Sequence, residues 1–441
     1  MSGLAGFLDA ARLSLGAEQV LDAPALLDAL SLPQARPAAL LRPGSVEEIV
    51  LAVKLANEHR VPLLPCGGWT AMHYGDPAPS GAVALSLQRL DRLVEHSPAD
   101  MVATAQAGLA FGAFQDRLHE HGQWLPFEAP AAATLGGLLA TDRSGPRRLG
   151  YGTLRDQVLG LTVVNGDGVV RKCGGKVVKN VTGYDLAKLY IGSLGTLGVI
   201  VEATFKLRPR PETSSVQELE HDDFAAGFKL VRELVQRLPF VAAVAGFPGK
   251  PFVAQLGIDA SPPDHARLLR ELEAACSSGG ARLRETGATH LDAEEFPPRP
   301  RRLRAVTLTD GRTVEPTLAA RLTWPAFAGD FPEQIAALDQ LAASHGFGLM
   351  MGFFEFPSRV SAELFGTLEG SEGAPAPDLD GMVKALRKAG LPVTVAWTGA
   401  EQTLSARAFG PPQRAWELMR GIKRALDPGA VLNPGRFVEG I

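Results

Sequence analysis

With 441 residues, the chain exceeds the size of one ordinary hydrophobic core, so two or three domains are expected. A hydrophobic content of 46%, a charged content of 21% and a formal net charge of −4 indicate a soluble globular protein and provide no basic surface for nucleic acid. No apolar run reaches the roughly 18 residues of a transmembrane span, and no signal sequence opens the chain, so a cytoplasmic location is expected.

The first elements predict an α+β unit with a ligand-binding end. An amphipathic helix is predicted at residues 45–59, where Ser45 and Glu48 form a capping box. A short strand at 61–65 follows, and the glycine turn 66–75 comes directly after it. A loop of this kind at the end of a strand favours close approach to a ligand.

A second glycine cluster continues this pattern. Strands are predicted at 82–87 and 101–108, followed by a helix at 111–122 that ends at a glycine. The small residues of 130–141, continuing to 144–148, fit either a tight helix contact or a second ligand loop. The repetition of glycine loops favours the ligand loop.

The most informative segment places Gly192, Gly195 and Gly198 at three-residue spacing before a β-branched strand at 199–207. Since glycine accepts either sign of φ, successive N–H groups can face a phosphate-bearing cofactor. The Gly-x-Gly-x-x-Gly fingerprint of nicotinamide dinucleotide binding opens a helix, whereas this pattern leads into a strand, so a Rossmann fold is not favoured.

Charged residues just before these glycines are expected to be structural or solvated. A helix is predicted to begin near Leu186, with Asp185 at or near its N-cap. Lys176 and Lys179 lie in the preceding loop, where solvated lysines are the commoner case and contact with a substrate carboxylate or with the pyrimidine ring of a flavin is the alternative.

The second half of the chain predicts a separate α+β domain. The proline- and charge-rich segment 208–215 is typical of an interdomain crossing. We therefore expect a first domain at 1–212, rejoined by 420–441, and a substrate or cap domain at 213–419.

The second half of the chain contains few candidates for catalytic or metal-binding residues. His345 is isolated and fits a helix C-terminus before a glycine, and Trp324, Trp397 and Trp416 fit core or interface positions, with core favoured. The three cysteines of the chain form no Cys-x-x-Cys pair, so no disulfide, zinc site or iron–sulfur cluster is expected within it. No metal site is predicted.

Four segments resemble the PCMH-type FAD-binding fold of vanillyl-alcohol oxidase and D-2-hydroxyacid dehydrogenase relatives. Residues 65–75 resemble its first pyrophosphate loop, 133–137 the second, 192–207 the strand that closes around the cofactor, and 431–437 the C-terminal return. The resemblance implies an FAD-binding domain of two α+β subdomains and a second α+β substrate or cap domain.

Within this superfamily, residues 144–148 together with 179–186 resemble the FAD-binding subunit of bacterial glycolate oxidase. Some members attach the flavin through a histidine directly after the paired glycines, where this chain has Trp69. A non-covalent FAD is therefore expected, with His73 as the minor alternative. Catalytic residues stay unknown, because the Gly-Asn-x-His element of related dehydrogenases is missing: Asn433 is the only asparagine after Asn180.

The chain has no basic cluster, so backbone amides of the two glycine loops are expected to hold the pyrophosphate, chiefly at Gly67, Gly68, Thr70, Gly136 and Gly137. The full set of expected cofactor contacts is Pro65, Cys66, Gly67, Gly68, Trp69, Thr70, Ala71, Tyr74, Gly75, Pro130, Thr134, Leu135, Gly136, Gly137, Ala140, Thr141, Ser144, Gly145, Gly198, Val199, Ile200 and Asn433.

The resemblance implies oxidation of a small 2-hydroxy acid such as glycolate to the 2-oxo acid. It further implies a complex in which a catalytic FAD subunit and an iron–sulfur subunit accompany this chain, with any membrane attachment made through these partners. Two alternatives stay open: a self-sufficient FAD-dependent 2-hydroxy acid dehydrogenase similar to D-lactate dehydrogenases, and a non-catalytic scaffold subunit.

Overall fold

The structure, a computed structural model, describes residues 3–30, 35–72, 74–142, 145, 147–176, 185–246, 252–287, 306–307, 313–314, 317–325, 337, 340–341, 344–345, 347–355, 359–366, 378–390, 393–398, 409, 414–438 and 441. The expectations for His73, Ser144 and Lys179 lie outside these residues, as do the side chains of Trp324 and Trp397.

The described residues form both helices and strands. The helices are α1 (Leu4–Leu15), α2 (Pro24–Leu30), α3 (Val46–His59), α4 (Phe111–His119), α5 (Leu135–Thr141), α6 (Arg148–Tyr151), α7 (Leu154–Gln157), α8 (Ala187–Tyr190), α9 (Phe224–Arg237), α10 (Pro262–Gly279), α11 (Leu379–Lys388) and α12 (Ala415–Leu426). The strands are β1 (Val20–Leu21), β2 (Ala39–Leu41), β3 (Leu63–Cys66), β4 (Val83–Ser86), β5 (Leu93–Ser97), β6 (Val102–Gln106), β7 (Gln123–Trp124), β8 (Val158–Val164), β9 (Val170–Gly174), β10 (Val199–Lys206), β11 (Arg208–Pro209), β12 (Thr213–His221), β13 (Ala242–Gly246), β14 (Phe252–Ala260), β15 (Arg282–Glu285), β16 (Val306–Thr307), β17 (Thr313–Val314), β18 (Thr317–Pro325), β19 (Phe347–Glu355), β20 (Arg359–Gly366) and β21 (Thr394–Thr398). None of these helices is long and apolar enough to cross a membrane.

The chain divides into two compact units. The first comprises Met1–Arg143, Thr153–Arg210 and Pro411–Ile441, and the second comprises Ser144–Gly152 and Pro211–Gly410. The domain limits expected from the amino-acid sequence, 1–212 rejoined by 420–441 and 213–419, stay a prediction.

One sheet of the first unit has the strand order β1-β2-β4-β3, with β4 parallel to both β2 and β3. Helix α3 begins where the sequence predicts, because the N–H of Glu48 donates to Ser45 Oγ at 3.2 Å. The carboxylate of Glu48 accepts from the Gly44 N–H at 2.6 Å, one residue before the position that a capping box uses.

The other large sheet of the first unit is antiparallel, in the order β5-β6-β10-β8-β9. Strand β10 lies at its centre, and Val201, Ala203 and Phe205 are buried on one face while Glu202 is partly exposed on the other. Helix α4 ends at His119, three residues before the predicted end, and Gly122, with a φ of +65°, follows in the turn after it.

The C-terminal return lies beside strand β3. Residues Leu63 and Leu432 form a parallel bridge, in which the Leu63 N–H donates to the Val431 carbonyl at 2.7 Å and the Asn433 N–H donates to the Leu63 carbonyl at 2.8 Å. These bonds bring Asn433 next to the loop that follows β3.

Helix α8 begins where the sequence predicts. Its N-cap is Leu186, which makes no side-chain capping bond, and Asp185 lies directly before it. The Asp185 carboxylate forms an exposed ion pair with Lys188 at 3.2 Å, which agrees with a structural role.

The second unit contains two four-stranded antiparallel sheets, in the orders β13-β14-β12-β15 and β19-β20-β18-β21. Residues 147–152 are tied to this unit by two contacts: the Arg147 guanidinium pairs with the buried Asp259 carboxylate at 3.1 Å, and the Tyr151 hydroxyl donates to the same carboxylate at 3.1 Å. A buried pair of this kind fixes a segment strongly, since removal of either partner leaves a charge without compensation.

Candidate functional site

The first unit contains a cleft that encloses about 760 Å³ of space, counting the solvent at its mouth. The loop after β3, helix α5, the turn before β10 and the C-terminal return form its walls. The expected cofactor contacts that line it are Pro65, Cys66, Gly67, Gly68, Trp69, Thr70, Ala71, Tyr74, Thr134, Gly136, Gly137, Ala140, Thr141, Gly198, Val199, Ile200 and Asn433.

Four expected contacts do not line the cleft. Leu135 is fully buried in the core, and Gly75 packs against the Arg436 carbonyl, which a Cβ on Gly75 would meet at 2.3 Å. Pro130 accepts a turn hydrogen bond from Ala133 at 2.8 Å, and Gly145 belongs to the second unit. The cleft is also lined by residues outside the expected set, namely Met72, Leu87, Ala107, Leu194, Gly195 and Arg436.

The glycines of the two loops allow the loops to contact each other. A Cβ on Gly67 would lie 2.0 Å from Thr134 Oγ1, and a Cβ on Gly68 would lie 1.9 Å from the Ala132 carbonyl oxygen. Only glycine fits at these two positions, because any side chain would overlap the second loop. The two glycines are therefore needed for the first loop to pack against the second, in addition to the ligand access expected from the sequence.

The two loops differ in their free backbone donors. In the second loop, Leu135 N–H donates to Leu109 O at 3.0 Å, Gly136 N–H donates to Ala107 O at 2.8 Å, and Gly137 N–H is directed to Thr134 Oγ1 at 3.4 Å. By contrast, the amides of residues 67–71 have no acceptor within the described part of the chain. The amides of Gly136 and Gly137 are thus already bonded within the chain, whereas those of residues 67–71 are not; which of them contact a cofactor stays a prediction.

Asn433 presents an unpartnered acceptor at the cleft. Its side chain is only 5% exposed, and its Nδ2 donates to the Leu194 carbonyl at 2.5 Å. Its Oδ1 is buried and finds no hydrogen-bond donor among the residues that the structure describes. A buried polar atom left unsatisfied costs about 1–3 kcal/mol, so this oxygen is suited to a donor on a bound ligand.

Arg436 brings a buried positive charge to the same cleft. Its Nη2 donates to the carbonyl oxygens of Met72, at 2.8 Å, and of Tyr74. Burial lowers the pKa of Arg436 to about 10, against the opposing effect of the Asp76 carboxylate. The guanidinium stays protonated near neutral pH and ties the loop after β3 to the C-terminal return.

Other candidate side chains have no catalytic arrangement. Lys176 forms an exposed ion pair with Glu95, and burial raises the pKa of the Cys66 thiol to about 12, so it is not a thiolate at neutral pH. His345 Nδ1 lies 2.9 Å from the Leu341 carbonyl at the end of a helical turn, as expected for a structural histidine. Within the described ranges, no group of three His, Cys, Asp or Glu side chains is placed to hold a metal ion.

Residues 37–174 match the family model described as FAD binding domain. Three curated relatives align with the chain. D-2-hydroxyglutarate dehydrogenase of Xanthomonas citri pv. viticola is 40% identical over 190 residues, covering 43% of this chain and 40% of the relative. Glycolate oxidase subunit GlcD of Bacillus subtilis is 29% identical over 286 residues, covering 60% of this chain and 61% of the relative. Mitochondrial D-lactate dehydrogenase [cytochrome] of Arabidopsis thaliana is 37% identical over 180 residues, covering 41% of this chain and 32% of the relative.

Each of these alignments spans less than two thirds of the relative's own length. A crystal structure of p-cresol methylhydroxylase with substrate bound matches nearly the whole chain, covering 98% of this chain and 96% of the other. The two structures superpose with a TM-score of 0.75 at 18% sequence identity. The α+β, PCMH-type fold is thereby confirmed, and the matched domain confirms FAD as the cofactor. Residues 37–174 are similar to an FAD binding domain, in a chain whose fold is similar to that of p-cresol methylhydroxylase.

Proposed function

We propose that this protein holds FAD non-covalently in the cleft of its first unit and takes part in the oxidation of a small 2-hydroxy acid to the 2-oxo acid. The observation that carries the proposal is that one cleft contains both unbonded backbone amides, at residues 67–71, and a buried acceptor without a donor, Asn433 Oδ1. Both groups line the same cleft, and most of the residues that line it belong to the segment that matches the FAD binding domain.

The donors and acceptors of the cleft fit the chemistry of FAD. The pyrophosphate carries two negative charges, which free backbone N–H groups of residues 67–71 stabilise together with the buried Arg436 guanidinium. The sequence predicts that backbone amides alone bind the pyrophosphate. We propose that Arg436, a buried cationic side chain at the cleft wall, also takes part. Asn433 Oδ1 accepts from a hydroxyl or amino group of the cofactor.

FAD, when bound, supplies an acceptor for the two electrons of the alcohol. The chain's own residues orient and shield it. Leu87, Val199 and Ile200 give the cleft an apolar wall that excludes water, and Trp69 occupies the position directly after the paired glycines with a φ of +58°. Trp69 offers no nucleophile for a covalent flavin bond, which supports non-covalent attachment.

The substrate class is supported by the relatives. Their names contain glycolate, D-lactate and D-2-hydroxyglutarate, which share a hydroxyl group next to a carboxylate. The first candidate is an FAD-binding subunit that works beside a catalytic FAD subunit and an iron–sulfur subunit, in the cytoplasm and near a membrane only through such partners. The names of the D-lactate and D-2-hydroxyglutarate dehydrogenases favour a self-sufficient dehydrogenase equally.

Anaerobic reduction of the isolated, FAD-loaded protein separates these candidates. The protein is mixed with glycolate, D-lactate or D-2-hydroxyglutarate, and the flavin absorbance is followed. Bleaching by the chain alone supports the self-sufficient dehydrogenase. Bleaching only after addition of a second flavoprotein subunit supports the accessory role. A preparation that stays colourless after incubation with excess FAD would overturn both, and would leave only the scaffold alternative.

The mode of attachment has its own test. Acid precipitation of the loaded protein should leave the yellow colour in the supernatant. Colour retained in the washed pellet would contradict the non-covalent cofactor.

A further inference from the structure

A second cavity of the first unit is lined by residues of both α8 and α12. It encloses about 670 Å³ of space, counting the solvent at its mouth. Its lining is mostly apolar and includes Ile191, Leu197, Met419, Ile422 and Phe437. A concave site with such a lining suits the hydrocarbon part of a small molecule.

Arg155 brings a positive charge without a counter-charge to this cavity. Its Nη2 donates to the Lys188 carbonyl at 3.0 Å, and no carboxylate among the residues that the structure describes forms an ion pair with it. The adjacent Asp156 carboxylate accepts from the N–H and the hydroxyl of Thr153, each at 2.8 Å, and the Lys188 ammonium pairs with Asp185 at 3.2 Å. The other N–H groups of the Arg155 guanidinium are therefore suited to an anionic oxygen on a ligand.

Exposed apolar side chains extend the apolar surface of the two helices. Leu189 of α8 lines the cavity and is 38% exposed, and Leu418 of α12, next to Met419, is 70% exposed. An apolar surface with a cation at one side fits a ligand that has a hydrocarbon chain and one anionic end. An alkyl carboxylate is the simplest molecule of this chemistry.

The turn between α8 and β10 connects this cavity with the candidate cofactor cleft. Ser193 and Leu197 line the cavity, whereas Leu194 and Gly195 line the cleft. Leu194 has a φ of +53°, which is unfavourable for a residue with a Cβ, so the turn depends on surrounding contacts to keep this conformation. The Leu194 carbonyl accepts from Asn433 Nδ2 at 2.5 Å and so orients the amide whose Oδ1 has no donor.

Helix α12 contacts the same turn. Lys423 Nζ donates to the Thr196 carbonyl at 2.7 Å, while Met419 and Ile422 of this helix line the cavity. A ligand in the cavity packs on this helix and on Leu197 at once, and the added dispersion contacts stabilise the turn. Stabilising the turn also stabilises the orientation of the Asn433 amide.

We propose that this cavity binds a medium-chain alkyl carboxylate, and that the bound carboxylate tightens the binding of FAD in the neighbouring cleft. The carboxylate group accepts from Arg155, and the alkyl chain packs on Leu197, Met419 and Ile422. The coupling rests on the proposed function, since it requires FAD in contact with Asn433. Because linkage is reciprocal, FAD tightens the binding of the carboxylate by the same factor.

Calorimetric titration with decanoate and with decanol, on the flavin-loaded and the flavin-free protein, tests the ligand class. We expect Arg155→Gln to weaken decanoate binding by about fivefold or more and to leave decanol binding unchanged, because only the carboxylate uses the guanidinium. Arg155→Lys should restore decanoate binding in part. Equal losses for the two probes, or no binding of decanoate by the wild type, would overturn the inference.

A steric variant tests the place of binding. Met419→Trp puts a larger side chain at the cavity wall and should weaken the binding of both probes by about tenfold or more. Leu13→Trp introduces the same side chain at a position of α1 that is 89% exposed, and it should bind both probes as the wild type does. Thermal unfolding checks that both variants are folded. Unchanged decanoate binding by folded Met419→Trp would place the ligand elsewhere and contradict the proposal.

Titration of FAD fluorescence with and without saturating decanoate measures the coupling. The affinity for FAD should rise by about fivefold in the wild type, and Met419→Trp should lose this response at the same decanoate concentration. An FAD affinity that decanoate leaves unchanged or lowers would refute the coupling and with it the proposal.

Sedimentation with phosphatidylglycerol vesicles separates a free carboxylate from a lipid surface. Binding to the vesicles that decanoate does not compete with, together with no calorimetric signal for decanoate, would assign the exposed leucines to lipid and overturn the proposal. Failure of the proposed function has a different appearance. FAD would then bind neither with nor without decanoate, and the coupling would fall with it, although decanoate would still bind in a manner that depends on Arg155.

Discussion

The Lys423 ammonium lies 2.6 Å from the Asp427 carboxylate, and both side chains are buried. Lys423 Nζ also donates to the Thr196 carbonyl at 2.7 Å and the Leu432 carbonyl at 2.8 Å, and Asp427 accepts from the Leu432 N–H at 2.9 Å. This pair therefore joins the end of α12, the turn before β10 and the C-terminal return, which are the parts that hold Asn433 at the cleft.

Replacement of Lys423 by Met should destabilise the protein by about 3–5 kcal/mol, because it leaves the Asp427 carboxylate buried without its counter-charge. FAD affinity should also fall, since the return that carries Asn433 loses its anchor. Urea unfolding of the flavin-free protein measures the first effect. Arg424→Met, at the neighbouring exposed position of the same helix, is the control and should change stability little. Equal midpoints for the two variants would show that the buried pair is unimportant.

Gly68→Ala should abolish tight FAD binding. The new Cβ would lie 1.9 Å from the Ala132 carbonyl oxygen, so the first loop must move away from the second. Titration of FAD fluorescence measures the affinity. Gly421→Ala introduces the same methyl group at a helical position with no atom within 4 Å, and it should bind FAD as the wild type does.

Asn433→Gly should weaken FAD binding by about tenfold or more while the flavin-free protein remains folded. Glycine accepts the φ of +45° found at this position, so the change removes the amide without straining the backbone. The loss corresponds to one buried hydrogen bond to the cofactor, of about 1–2 kcal/mol. Calorimetric titration gives the affinity, and thermal unfolding without FAD gives the stability. An unchanged affinity would mean that Oδ1 does not contact the cofactor.

Stability should decline above about pH 9 because of the three buried thiols. Burial raises the pKa of Cys66 to about 12 and those of Cys173 and Cys276 to about 11, from an unperturbed value of 9.0. Between the unfolded and folded pKa values the unfolded chain loses protons that the folded chain keeps, so the stability present below pH 9 is lost as the pH rises. The loss is about 1 kcal/mol per thiol one pH unit above the unfolded value.

The measurement is the urea midpoint between pH 8 and pH 10.5 for the wild type and for the variant with all three cysteines changed to alanine. The variant should start from a lower stability, because it loses packing, and then decline less steeply with pH. Parallel curves for the two proteins would refute the role of the thiols.

Local features were readable from the amino-acid sequence alone, because they depend on neighbours a few residues apart. The strand predicted at 61–65 and observed at Leu63–Cys66, the glycine turn after it and the Ser45 cap follow from apolar periodicity, capping chemistry and the freedom of glycine at positive φ. The resemblance carried by the glycine loops was enough to indicate the cofactor type. These features fixed the fold class and most of the cleft wall.

The tertiary structure alone decided which groups of the cleft are free to act. The Gly136 N–H donates to the Ala107 carbonyl, and the Leu135 N–H donates to the Leu109 carbonyl, so neither is free for a ligand. Lys423 donates to the carbonyl of Thr196, 227 residues earlier in the chain. The Arg147–Asp259 pair, 112 residues apart, likewise joins residues 147–152 to strand β14. Hydrogen bonds and ion pairs over such separations leave no periodic signal in the sequence, since only the folded chain brings donor and acceptor together.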